Sequence, residues 1–153
     1  YAGAIGLGQF MPSSILRHAV DFDTDGKVDM SRSPADVIGS VARYLSDYKW
    51  TPGMPARYAV AVPDDAEALQ RLLAPDIEPT FDATQMEAAG AKLDGAGRAH
   101  AGALALVKLE NGDAAPSYVA GTANFYTVTR YNRSSYYAMA VIELGEAVAA
   151  AMR

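Results

Sequence analysis

Residues 103–121 read Ala103-Leu-Ala-Leu-Val-Lys-Leu-Glu-Asn-Gly-Asp-Ala-Ala-Pro-Ser-Tyr-Val-Ala-Gly121, two short apolar runs separated by Asn111-Gly112-Asp113. Apolar runs bounded by turn residues predict strands, and Asn-Gly is a turn signal between them. Tyr58-Ala-Val-Ala-Val62 predicts another strand. Outward from these runs the apolar period changes. Ser33 is an N-cap, Pro34 an N1 residue and Asp36 a capping-box acid. Behind them Val37, Ile38, Val41, Tyr44, Leu45 and Tyr48 form a stripe that predicts a helix over about 34–48. Tyr137, Val141, Leu144, Val148 and Met152 predict a buried stripe on a tail helix over about 134–152. Two short helices are expected between the strands, one near 65–74 and one from a Thr84-x-x-Glu87 capping box to about Leu93. The pattern predicts an α+β fold: a mainly helical core in two parts, residues 1–56 and 123–153, around a small strand-containing insertion, residues 57–122.

At the start of the chain Gly3, Gly6 and Gly8 disfavour a long helix. A short helix end, a turn and a new helix from Pro12 are expected there. Either tight packing or a backbone brought close to a ligand accounts for such glycines. The chain opens at Tyr1-Ala-Gly-Ala, without a Met and within an element, so an upstream portion is expected.

The 153 residues suffice for a modest core, and 50% apolar with 20% charged residues is globular composition. A net charge of −5 without clustered Lys or Arg argues against nucleic acid as a partner. The absence of cysteine removes disulfides, zinc thiolates and cysteine nucleophiles. No apolar run approaches the roughly 18 residues of a membrane span. Membrane contact is therefore expected only through a lipid anchor on a longer parent.

One segment carries metal chemistry. Asp21-Phe-Asp-Thr-Asp-Gly-Lys-Val-Asp29 has acids at loop positions 1, 3, 5 and 9 and a glycine at 6. A hard cation such as Ca2+ takes six to eight oxygens, and this spacing supplies three carboxylates on one tight turn. The Lys27 carbonyl is the expected fourth ligand. Position 12 is Arg32 rather than the usual bidentate Glu, so the last carboxylate is expected from Asp36, in the ligand role rather than the capping-box role. The expected set is Asp21, Asp23, Asp25, Lys27 and Asp36, holding Ca2+, or Na+ in its place. A single loop without its paired partner is a structural site rather than a calcium sensor. A solvated acidic turn is the alternative.

The segments Tyr1–Ser14 (Tyr-Ala-Gly-Ala-Ile-Gly-Leu-Gly-Gln-Phe-Met-Pro-Ser-Ser), Asp21–Lys27, Ser33–Leu45 and Asn124–Val141 resemble, in order, the membrane-bound lytic transglycosylase B family. The resemblance covers roughly residues 1–53 and 118–153. It implies a lysozyme-like periplasmic enzyme that cleaves the MurNAc–GlcNAc β-1,4 bond of peptidoglycan and forms a 1,6-anhydro product. In the family one glutamic acid serves as acid and then base, and its motif lies upstream of the segment that opens this chain. None of Glu67, Glu78, Glu87, Glu110, Glu143 and Glu146 matches that position, so no catalytic residue is assigned and the isolated chain is expected to be inactive. The resemblance places Gln9, Tyr44, Tyr131, Asn132 and Tyr137 at the sugar cleft. Gln9 has a local backbone hydrogen bond as its plain alternative, Tyr44 core packing, and Asn132 a cap on the tail helix. Implied partners are peptidoglycan glycan strands and the N-terminal part of the same protein. A non-catalytic peptidoglycan- or calcium-binding module of the same fold is the competing reading.

Overall fold

The computed structural model describes residues 3–153 and follows the order α1 (Pro12–His18), α2 (Pro34–Asp47), β1 (Arg57–Ala61), α3 (Ala66–Leu73), α4 (Ala83–Ala88), β2 (Lys92–Leu93), α5 (Gly95–Arg98), β3 (Ala105–Asn111), β4 (Ala114–Gly121), α6 (Ala123–Tyr131) and α7 (Ser135–Ala151). The chain divides into two compact units, Tyr1–Trp50 and Thr51–Arg153. The fold is α+β, as the alternation of patterns predicts, and α6 and α7 share the second unit with the sheet.

In the first unit Tyr1 and Ala2, where the helix end is expected, lie outside the described residues. Downstream of them Ile5 and Phe10 exchange both backbone hydrogen bonds, at 2.9 and 3.1 Å, around a tight turn. Gly6 has φ +71°, and a Cβ there would lie 2.1 Å from the Met30 carbonyl oxygen. Tight packing therefore accounts for this glycine. Pro12 opens α1 as expected.

In α2 the Ser33 hydroxyl accepts the Asp36 N–H at 3.2 Å, but the reciprocal half of a capping box is absent. The Ser33 N–H donates instead to Asp29 O, which leaves the Asp36 carboxylate to the loop. The buried residues of α2 are Asp36, Gly39, Ser40 and Tyr44, while Ile38, expected on the buried stripe, is 66% exposed. Gly39 explains the difference: a Cβ there would meet the Phe22 ring at 2.5 Å, so the loop lies flat on this face of the helix. Ser40 helps to hold it by accepting the Val20 N–H at 3.0 Å. His18 of α1 reaches Asp47 of α2 at 2.7 Å.

In the second unit four antiparallel strands are ordered β2-β1-β4-β3, with Val60 opposite Leu93, Tyr58 opposite Ala120 and Val107 opposite Val119. Leu72, Met86, Leu104, Leu106 and Ala120 form the centre of the core against Tyr58 and Leu93. Burying one such leucine contributes about 1.5–3 kcal/mol.

Two expectations are corrected here. The capping box of α4 is Asp82 and Gln85, not Thr84 and Glu87, with reciprocal bonds of 2.7 and 2.9 Å. Glu87 instead pairs with Arg98 at 2.8 Å, and beyond Gly90 the chain extends, so Lys92 and Leu93 form β2 rather than a helix end. The helix α7 forms where predicted, yet its buried residues are Ala138 and Ile142. Val141, Leu144, Val148 and Met152 are exposed, Leu144 at 66% and Met152 at 82%. The small side chain of Ala138 lets the helix approach closely, and the larger residues occupy another face.

Candidate functional site

The acidic loop is built by its own backbone. Thr24 and Gly26 have φ of +62° and +89° and turn the chain so that its N–H groups point at its carboxylates. Asp21 Oδ2 accepts the Gly26 N–H at 2.8 Å, and Asp23 Oδ2 accepts the Ser33 hydroxyl at 2.9 Å. Asp36 accepts the Phe22 and Asp29 N–H groups, each at 2.8 Å, one on each oxygen. Those bonds, first from Asp29 and then from Phe22, hold its carboxyl below the ordinary aspartate range, while burial acts the other way.

Carboxylate oxygens of Asp21, Asp23 and Asp36 all lie within 4.8 Å of one another. Three carboxylates so close repel unless a cation neutralises them, and oxygen-only donors suit a hard ion. The donor set therefore fits Ca2+. Asp25 does not join the three; its Oδ1 accepts the Lys27 N–H at 2.9 Å. The Lys27 carbonyl accepts no hydrogen bond among the described residues, which leaves it open to a ligand role. Asp29 points its carboxylate at Ser31 N and Arg32 N, closing the turn into α2.

Two further sequence-predicted residues belong to the first unit. Gln9, exposed and at φ 49°, donates its side-chain amide to Gly6 O at 2.9 Å. That local bond leaves its amide oxygen without a partner among the described residues. Tyr44 is 6% exposed and packs against Phe10, His18 and Tyr48, with ring centroids 5.7, 5.0 and 4.6 Å away. Its burial supports the packing role that its place on α2 suggests.

The other three belong to the second unit. Tyr131, the last residue of α6, stacks on Tyr137 of α7 with centroids 6.3 Å apart and planes 9° from parallel. Asn132 between them is exposed, and its side chain has no hydrogen-bond partner among the described residues. The N-cap of α7 is Ser134, whose hydroxyl accepts the Tyr137 N–H at 3.2 Å, so Asn132 is not the cap.

Other polar residues of this run hold the fold. Asn124 is fully buried; its Oδ1 accepts the Thr51 N–H and its Nδ2 donates to Thr51 O and Met54 O, at 2.8–2.9 Å. The Thr122 hydroxyl ties the same segment through Pro55 O and Ala56 O. Sequence reasoning missed these roles because the partners lie some 70 residues away. It also missed Ser33 as a second anchor of Asp23, although an N-cap serine beside an acidic loop was a usable signal.

Residues 1–146 match the transglycosylase SLT domain family, and the chain belongs to it. It is 41% identical to the membrane-bound lytic murein transglycosylase B of Escherichia coli, over 99% of this chain and 39% of that protein. The Escherichia coli lytic transglycosylase Slt35, solved in complex with calcium, superposes with a TM-score of 0.82 at 39% identity, over 98% of this chain and 45% of that one. SltB3 of Pseudomonas aeruginosa, solved with NAG-anhNAM-pentapeptide, gives 0.73 at 30% identity, over 91% and 36%. The chain thus spans less than half the length of each of these relatives.

Proposed function

We propose that this chain is part of a peptidoglycan lytic transglycosylase of the cell envelope, acting in the periplasm, that cleaves the MurNAc–GlcNAc β-1,4 bond. The family match along nearly the whole chain carries this reading. In the proposed reaction a glutamic acid protonates the glycosidic oxygen as the bond to C1 breaks. The resulting carboxylate then takes the proton of the MurNAc 6-hydroxyl as that oxygen attacks C1, closing the 1,6-anhydro ring. No water is consumed, unlike ordinary glycoside hydrolysis.

The acid is proposed to come from the N-terminal part of the same protein. Five of the six glutamates here are exposed, and Glu87, Glu110 and Glu146 are bound up in ion pairs with Arg98, Lys108 and Arg57. The bare Val141, Leu144, Val148 and Met152 of α7 support a further protein surface against this helix. Gln9, Tyr131, Asn132 and Tyr137 are proposed to bind the glycan strand, through amides for N-acetyl and hydroxyl groups and rings for the apolar sugar faces. Asp21, Asp23 and Asp36, with the Lys27 carbonyl, are proposed to hold a structural Ca2+ that fixes the loop on α2. Asp25 would complete the set on turning from Lys27 N. None of the helices among the described residues is long and apolar enough to cross a membrane, and a lipid anchor on the parent is the proposed membrane contact.

Digestion of purified peptidoglycan, read by mass spectrometry, tests this. The longer protein should release 1,6-anhydro muropeptides and the 153-residue chain alone none. Reducing-end products from the longer protein would contradict the reaction. Anhydro products from the chain alone would contradict the placement of the acid.

A further inference from the structure

The acidic loop and the turn that carries Gln9 meet at Met30, within the first unit. Asp36, one of the three facing carboxylates, accepts the Asp29 N–H on Oδ2 at 2.8 Å. The next residue, Met30, is buried, and its carbonyl accepts the Leu7 N–H at 2.9 Å. Gly6 lies against the same carbonyl, where a Cβ would come within 2.1 Å of the oxygen and 2.7 Å of the carbon. Gly6 in turn holds Gln9. Its carbonyl accepts the Gln9 backbone N–H at 3.1 Å and the Gln9 side-chain amide at 2.9 Å. An unbroken series of contacts thus joins a cation ligand to a side chain proposed to bind the glycan.

Both ends of this series depend on what surrounds them. Gln9 is held at φ 49°, a left-handed conformation that residues other than glycine rarely adopt and that persists only where neighbours impose it. The seat of Gly6 and Leu7 on Met30 is what imposes it, and the paired backbones of Ile5 and Phe10 close the turn, so Gln9 moves with the turn. At the other end the loop hangs on one carboxylate. Asp36 takes the Phe22 N–H on one oxygen and the Asp29 N–H on the other, so it anchors both ends of the loop. Repulsion from Asp21 and Asp23 works against that anchorage, and a cation shared by the three reverses it.

We propose that cation occupancy of the acidic loop regulates Gln9: it fixes the Asp29–Met30 seat and, through that seat, the turn that presents Gln9 to the glycan. The proposal rests on the reading of Gln9 as glycan-binding and adds to it a control exerted from the loop. Coupling of this kind is reciprocal, so whatever fixes the turn tightens the hold on the cation by the same factor, and whatever breaks the seat loosens it.

The test is calcium titration of the isotope-labelled, chelator-treated 153-residue chain, followed by amide NMR shifts. The loop amides of Asp25, Gly26 and Lys27 should shift, and the Leu7 amide and both Gln9 amides should shift with the same midpoint. Gly6→Ala places a methyl group on the Met30 carbonyl. Calcium should still move the loop amides of this variant, with its affinity lowered about tenfold, while Leu7 and Gln9 no longer follow. Asp36→Asn removes a charge from the cation site and should silence the loop and Gln9 together. Shifts that stop within residues 21–36 would overturn the coupling. So would a Gly6→Ala chain that binds calcium with unchanged affinity, or a Gln9 response that survives Asp36→Asn. The muropeptide assay reads the enzyme function separately: anhydro products with a silent Gln9 sink the coupling alone, and reducing-end products with a responsive Gln9 sink the glycan-cleaving reading alone.

Discussion

The acidic loop at residues 21–36 and the polar-aromatic run at residues 122–137 both look like functional sites in the sequence, but their polar groups are spent differently. In the loop, backbone N–H groups converge on carboxylates and leave three acids facing one another. That is a poor way to fold a loop and a good way to hold a cation. In the run, Thr122, Asn124 and Ser134 are consumed in holding helices and the 51–56 segment, and Tyr136 pins the end of β3. Polar density alone is therefore no measure of a binding site. What distinguishes one is polar capacity left over once the fold has been satisfied.

The comparison breaks most visibly at Asn124. Asn124→Ala removes three hydrogen bonds from a buried position, those to the Thr51 N–H and to the Thr51 and Met54 carbonyls. The expected loss is about 3 kcal/mol. The thermal midpoint should fall by roughly 6–12 °C. A midpoint within a degree or two of the parent sequence would mean that Asn124 belongs with the spare polar groups.

Ser134→Ala comes next. It removes the N-cap of α7 and should cost about 1 kcal/mol by denaturant unfolding, without affecting glycan binding. Asn132→Ala, two residues away, should show the reverse. Its side chain holds nothing among the described residues, so stability should change by less than about 0.5 kcal/mol. In the full-length protein, turnover of peptidoglycan should drop about tenfold. A lowered midpoint with normal turnover would return Asn132 to the structural group.

How far these roles could be read in advance follows from sequence distance. The strands, α2 and α7 depend on periods and caps within a few residues, and they formed close to where the pattern predicts. The carboxylates of Asp21 and Asp23 are also local, and Asp36 is brought to them by one helix start. Which face of a helix is buried depends instead on what packs against it. Gly39 admitting Phe22 moved the buried face of α2 off Ile38, and Ala138 did the like for α7. Asn124 and the His18–Asp47 pair were illegible for the same reason: their partners are set by the tertiary fold, 29 to 73 residues away. The Asp82–Gln85 box has the same spacing as the Thr84–Glu87 one, and only the extended backbone of Asp82 selects between them.

Calcium addition followed by thermal unfolding tests the central contrast most directly. If Asp21, Asp23 and Asp36 face one another to hold a cation, calcium at 100–1,000 times its dissociation constant stabilises the chain by about 3–4 kcal/mol. The midpoint should then rise by roughly 6–16 °C over a chelator-treated sample. Superimposed melting curves with and without calcium would contradict the account and make the loop a solvated acidic turn.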